Sequence, residues 1–332
     1  MAPWPLMSPR PALLAVLVVA LLTAACGGGP AAAPAPTTPS PTAPAVTTSA
    51  PTSTPATTTF TTTATPAPTT TAAPAPAPTT QACALPQTGF SCTEQAAIAT
   101  VQGYLAKRPG TVGIVLRDRQ TGAVWTNGNA GTTVWTASTI KLAMVVDLYT
   151  RAGRGEITLT DTDRTQVQAM LHSSDDNAAD ALWYRYAGAD HLAYNRDFPA
   201  YGLTDLAPQR GFSNYYPYWG FQKTTPADLD RLMTYVLTTL DPADRGYIVD
   251  QLQHVAPDQQ WGVWGAGPAL TPGNKDGWSL EQGGWVINSV GFAGPGQRYT
   301  LAMMNSLDGQ GGYDDGVATL SAVARQLTAG LS

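Results

Sequence analysis

Ser138 and Lys141 stand three residues apart in Trp135-Thr136-Ala137-Ser138-Thr139-Ile140-Lys141-Leu142-Ala143-Met144-Val145-Val146. On a helix that spacing puts both side chains on one face. A serine hydroxyl is a weak nucleophile at neutral pH and needs a neighbouring base to take its proton. An amine buried beside it can serve, because burial disfavours the ammonium form and lowers the lysine pKa. A helix amino terminus adds backbone N–H groups for a developing oxyanion. The chemistry such a pair supports is acyl transfer through a serine ester. The plainer reading is an N-capping serine followed by an ordinary lysine. Against it, the chain has only four lysines, and Lys141 is the sole charge between Arg119 and Asp147. A lysine in a stretch that is apolar nearly all round needs a reason to be there.

Two later stretches extend the pattern: Met170-Leu171-His172-Ser173-Ser174-Asp175-Asp176-Asn177-Ala178-Ala179 and Asn274-Lys275-Asp276-Gly277-Trp278. With Ser138-Thr139-Ile140-Lys141 they resemble, in order, the S-x-x-K, S-D-N and K-T-G motifs of class A β-lactamases and penicillin-binding proteins. The resemblance covers essentially all of 94–332. It implies that Ser138 is the acylated nucleophile, Lys141 its proton acceptor and Ser174 a proton relay to the leaving nitrogen. Lys275 would supply positive potential for that serine and for an anionic substrate. Asp176, Asp276, Gly277 and Trp278 would line the substrate site, with the backbone N–H groups of Ser138 and Trp278 as the oxyanion hole. Read without the resemblance, Ser174 is equally an N-cap of a helix over 175–187, and Lys275 a solvated charge at a strand end.

The chain departs from the family pattern in three places. Asp176 stands where the family has Asn, with Asn177 next to it. Asp276 stands where the family has a Thr that helps hold a substrate carboxylate, and an ionised Asp there would repel that carboxylate. The loop Glu that activates water for deacylation in class A enzymes has no counterpart, since the only Glu residues are Glu94, Glu156 and Glu281. Asp197, in Arg196-Asp197-Phe198-Pro199, is the nearest substitute. An acyl-enzyme that forms and persists is the behaviour of a penicillin-binding protein.

Stepping outward, these residues need elements to hold them. Ala97, Ile98, Val101, Tyr104 and Leu105 predict a helix that stops before Pro109-Gly110. Val112, Ile114 and Leu116, then Thr121-Gly122 and Val124-Trp125, predict a hairpin. Helices are expected over 138–152, 161–172, 175–187, near 189–197, and over 226–240 and 242–254. Strands follow at about 272–279, 284–292 and 297–305, closed by a helix at 313–330. An antiparallel sheet built from both chain ends, with a helical insert between them, is an α+β architecture. The aromatic-rich segment 212–221 reads as a lid over the helical part or as one wall of a substrate groove.

Composition separates this domain from what precedes it. No charged side chain occurs in 11–93, and 46 of the 55 positions in 27–81 are Pro, Thr or Ala. Such a segment cannot bury enough apolar surface to offset its ordering entropy. Before it, Arg10, an apolar run of about a dozen residues and Thr23-Ala24-Ala25-Cys26 resemble a signal peptide ending in a bacterial lipobox. The expected organisation is a signal over 1–25, a linker over 26–82 anchored to the membrane through lipid on Cys26, and a hydrolase domain over 83–332. Plain secretion is the alternative. With Cys26 lipidated, Cys83 and Cys92 remain to form a disulfide in an oxidising compartment. The three histidines, His172, His191 and His254, have no close Cys or His spacing, so neither a metal nor another cofactor is expected. Net charge is −5 with no Lys/Arg run, which argues against nucleic acid as a partner. The sequence thus points to an exported, lipid-anchored serine hydrolase acting on β-lactams or D-alanyl wall peptides. The alternative is a degenerate domain of the same fold that binds wall material or a partner protein.

Overall fold

A computed structural model describes Cys83 and residues 89–215, 219–281 and 283–331. The expected signal segment, its Cys26 and the linker lie outside the described residues. Ser91 opens α1 (Cys92–Leu105): its hydroxyl accepts from the Glu94 N–H while the Glu94 carboxylate accepts from the Ser91 N–H, satisfying two otherwise orphaned donors. Cys92 is disulfide-bonded to Cys83, as the cysteine count predicts. The chain then forms β1 (Thr111–Asp118), β2 (Val124–Thr126) and a two-residue β3 (Val134–Trp135), followed by a 3-10 turn at Ala137–Thr139 and α2 (Ile140–Gly153). Next come α3 (Asp161–His172), α4 (Asp176–Tyr186), α5 (Ala193–Asp197), β4 (Ala207–Pro208) and β5 (Gln222–Thr224). The chain continues through α6 (Pro226–Thr238), α7 (Pro242–Gln253), β6 (Gly273–Glu281), β7 (Gly284–Ala293), β8 (Tyr299–Ser306) and α8 (Tyr313–Leu327).

The main sheet is antiparallel, with strand order β2-β1-β8-β7-β6. Its first strands come from one end of the domain and its last three from the other, the expected α+β arrangement. Both faces are covered, so β7 and β8 are buried almost throughout. On one face Ile287, Leu301 and Met303 pack with Ile98, Val101, Leu320 and Val323 of α1 and α8. On the other, Val286, Val290 and Ala302 pack with α2 and the helical insert, where Met144, Leu182 and Leu232 are buried. The fold therefore places α2, with Lys141, against one face of β6 and β7. β3, β5 and β4 form a small second sheet that the sequence reading did not anticipate. Strands of two or three residues leave too short a pattern for periodicity to register. Among the described residues no helix is long and apolar enough to cross a membrane.

Candidate active site

Ser138 sits in the 3-10 turn two residues before α2, rather than in the first α-helical turn as expected. Four hydrogen bonds fix that turn. The Thr136 N–H donates to the Gln222 carbonyl (2.9 Å), the Thr139 hydroxyl donates to the Thr136 carbonyl (2.6 Å), and Asn288 Nδ2 donates to the carbonyls of Trp135 (2.8 Å) and Thr136 (3.2 Å). Ala137, immediately before the serine, has φ of 43°. A side chain in that left-handed region costs about 1–2 kcal/mol, so the surrounding bonds hold Ser138 in a backbone the chain would not choose alone.

Lys141 follows on α2 and is fully buried. Its Nζ donates to the Ser174 carbonyl (2.5 Å) and hydroxyl (3.3 Å), and to Asp176 Oδ1 (2.5 Å). Trp219 closes the remaining side, its ring centroid 4.4 Å from Nζ, and its indole N–H donates to Asp180 Oδ1 (3.0 Å). Burial pulls the Lys141 pKa down, opposed chiefly by the bond to Asp176. Lys275 arrives from β6, equally sealed, and donates to Ser174 Oγ (2.9 Å) and to the carbonyl of Asp276 (2.7 Å). Its pKa is pushed well down, by burial first and then by the nearby Lys141 charge. The two amines thus converge on one hydroxyl. Ser138 and Ser174 are only 9 % and 8 % exposed, while the Asp176 side chain is 73 % exposed. The Asp176 carboxylate is the part of this cluster that meets solvent.

Ser174 is not the cap of α4. That role belongs to Asp175, whose carboxylate accepts from the Ala178 N–H (2.7 Å). Ser174 precedes it at φ of 58°, and this left-handed turn puts its hydroxyl and carbonyl onto Lys141. The capping role expected of Ser174 thus falls one residue later, and its hydroxyl is not used for it.

The third motif is split by the pleat. Successive strand residues point to opposite faces, so Lys275 and Gly277 face Ser174 and the serine turn, while Asp276 and Trp278 face α8. A Cβ on Gly277 would lie 2.7 Å from the backbone nitrogens of both Ser138 and Thr139. Only glycine lets the edge strand approach the turn so closely. Trp278 packs its ring against Trp261 and Tyr313 (centroids 6.0 and 5.8 Å), which leaves only its backbone for the site. Asp276 stands opposite Ser289 of β7, buried, with the Ser289 hydroxyl, Asn274 and the Trp261 backbone as its polar neighbours. Burial raises its pKa well above the carboxylate range. The expectation that an ionised Asp276 repels a substrate carboxylate therefore fails twice: the group is turned away from Ser174, and burial favours its uncharged form.

Asp197 is likewise remote from Ser138. It pairs with Arg154 (3.3 Å), which follows the last residue of α2, and its charge acts on Asp147 in the middle of that helix. Glu94 bonds Tyr299, Glu156 pairs with Arg154, and Glu281 ends β6. None of these contacts involves Ser138, Ser174 or Lys275. Sequence reading missed Asn288, and it flagged the aromatic segment 212–221 without singling out Trp219. A polar residue inside Val286-Ile287-Asn288-Ser289-Val290 is the kind of buried polar group that signals a partner. For Trp219 no spacing signal exists. Within the described part of the aromatic segment, Phe212 packs edge-on to Trp183 (6.2 Å), Trp219 roofs Lys141, and Phe221 lies against Trp135 (5.0 Å) and Tyr215 (4.4 Å).

Comparison with known proteins agrees with this geometry. A sequence model described as "Beta-lactamase enzyme family" matches residues 96–166. A β-lactamase from Xanthomonas campestris superposes with a TM-score of 0.60 at 19 % identity, covering 72 % of this chain and 99 % of that one. PBP-A superposes with a TM-score of 0.59 at 21 % identity, covering 73 % and 96 %. This chain has the β-lactamase fold. The resemblance carried by the three motifs is matched by the architecture that holds them. Curated relatives titled "Putative lipoprotein LppW", from Mycobacterium tuberculosis and Mycobacterium bovis, are 30 % identical over 206 residues. The match spans 58 % of this chain and 62 % of the relatives' length.

Proposed function

We propose that the chain is an exported serine acyltransferase or hydrolase that acts through Ser138 on β-lactams or on D-alanyl peptides of the cell wall. The observation that carries this reading is the meeting of Lys141 and Lys275 on Ser174 Oγ, with Ser138 three residues before Lys141. At rest Asp176 holds Lys141 as an ammonium, so the lysine must lose its proton before it can accept another. Asp176, which meets solvent, is the route by which that proton leaves. The Ser174 hydroxyl bridges Lys141 to Lys275, whose pKa is lowered by burial and by the Lys141 charge so that it gives up a proton readily. Free Lys141 then takes the Ser138 proton as Oγ attacks the acyl carbon. The Oγ–acyl bond forms, the C–N bond breaks, and Ser174 hands a proton to the leaving nitrogen while Lys275 restores its own. The Ser138 N–H, pressed against the edge strand at Gly277, is suited to the oxyanion.

Asp176, the carboxylate in the serine cluster, is paired with Lys141, and an acyl-enzyme without a free water-activating base would be long-lived. This is penicillin-binding behaviour rather than drug hydrolysis. The lipoprotein title of the LppW relatives supports an extracytoplasmic, lipid-anchored location through Cys26, with 26–82 as the spacer. The test is incubation of the full chain with a fluorescent penicillin and a D-alanyl thioester. We expect a covalent adduct that persists for minutes or longer and is lost in Ser138→Ala. No adduct from either donor would overturn the reading and leave the non-catalytic binding domain.

A further inference from the structure

A second feature lies along the same face of β6. Gly277, Ser279 and Glu281 follow Lys275 at two-residue steps, so this face runs from the serine cluster to the far end of the strand. There it opens into a cavity of about 240 Å³, the share of liquid of roughly eight waters. Its wall holds charges of both signs. Lys223 stands directly opposite Trp135 in the β3–β5 pair, its ammonium 4.7 Å from the centre of that ring. Glu281 and Asp308 line the same space. Asp308 accepts from the Ser306 hydroxyl (2.7 Å) and, more weakly, from Thr111 (3.5 Å). Among the described residues none of these three charged groups is in an ion pair, although they share one small cavity. Charges of opposite sign that line one cavity without pairing are open to pairing with a ligand.

An arrangement of one ammonium, two carboxylates and hydroxyl groups set around a gap is complementary to a ligand carrying the opposite pattern. We propose that this cavity binds the zwitterionic end of an α-amino acid, its carboxylate on Lys223 and its ammonium between Glu281 and Asp308, beside the Trp135 ring that Lys223 already covers. Position relates this site to Ser138. Trp135 precedes the serine by three residues, and Glu281 lies four residues beyond Gly277, about 13 Å along an extended strand. An extended peptide of about four residues spans that distance. Resting on the acyl-transfer reading above, the site therefore selects acyl donors that end, about four residues from the bond attacked, in an amino acid joined through its side chain, so that its α-ammonium and α-carboxylate are both free.

The two readings fail separately. In the full chain labelled with 15N-tryptophan, free D-alanine or glycine should shift the Trp135 indole resonance, assigned with Trp135→Phe. N-acetylated or amidated forms, each lacking one charge, should bind roughly tenfold more weakly or not at all. Lys223→Met and Glu281→Gln should each abolish the preference for the zwitterion while fluorescent penicillin still labels Ser138 at the unaltered rate. In kinetics, a peptide thioester ending in an amino acid joined through its side chain should show a KM about tenfold below its blocked counterpart, and Lys223→Met should erase that difference without changing kcat. Equal binding of charged and blocked forms, or no Trp135 shift, overturns the proposed site even if penicillin acylates Ser138. A Trp135 shift in a chain that no donor acylates leaves the site standing and removes the catalytic reading.

Discussion

Two aspartates that look equivalent in the sequence, each replacing an uncharged family residue, have opposite fates. Asp176 reaches solvent and holds Lys141 charged. Asp276 is buried on the far side of the strand. Removing the first carboxylate should weaken the hold on the Lys141 proton, so more free amine is present at any given pH. Asp176→Asn should therefore move the acidic limb of the acylation rate to lower pH and raise the rate at pH 7 severalfold, read from penicillin labelling across pH 5–9. An unchanged profile would show that Lys141 is not the group whose deprotonation limits attack. The second substitution should be silent. An amide is isosteric with an uncharged carboxyl, so Asp276→Asn should leave labelling within about twofold and should not lower the melting temperature. The sequence showed the Ser138, Lys141, Ser174 and Lys275 set because each belongs to a motif with fixed spacing. It did not show which way Asp276 points, although the two-residue period of a strand already separates it from Lys275. Reading the third motif as one patch, rather than as alternating faces, caused that error.

At the scale of elements, the site depends on β6 lying against the serine turn. Gly277 makes that contact, backbone to backbone, with no flexible side chain to yield. Gly277→Ala should push the edge strand off the turn, displacing the Lys275 amine from Ser174 and the Ser138 N–H from the oxyanion position together. Loss of oxyanion donation alone costs on the order of 10²–10³ in rate, so labelling should fall at least a hundredfold. The variant should still melt cooperatively, because α1, α8 and the other strands are not involved. The long elements were legible from hydrophobic period and caps: the helices at 161–172 and 226–238 begin at threonines whose hydroxyls accept from Asp163 and Asp228 N–H groups. The cap of α4 was read one residue early because Ser174 and Asp175 are both good caps, and only the left-handed backbone at Ser174 distinguishes them. The short strands and 3-10 turns between 198 and 270 were not legible, since their conformations are set by packing against Trp183, Trp219 and β6 rather than by local preference.

For the molecule as a whole, a buried carboxylate away from the catalytic cluster should shape how stability depends on pH. Asp147 lies on α2 under the larger core, hydrogen-bonded by Arg151 (3.2 Å) and Tyr201 (3.0 Å). Burial pushes its pKa from 3.8 up to about 7, against the pull of Arg151. The folded state thus holds a proton that the unfolded state gives up in the window from pH 3.8 to about 7. Its stabilising contribution is fully present below that window and is lost as pH rises through about 7. The melting temperature should fall between pH 5 and pH 8, and Asp147→Asn should flatten that slope; a slope that persists in the variant would assign it to other groups. The order of the sheet has a consequence for how the protein is made. β1 lies between β2 and β8, with Thr111 opposite Ser306, and Ser174 waits for an amine 101 residues downstream. Pairings that distant form slowly because a long loop must close before any contact rewards it. A chain emerging amino terminus first cannot complete its central sheet, or bring Lys275 to Ser174, until the last strands have appeared.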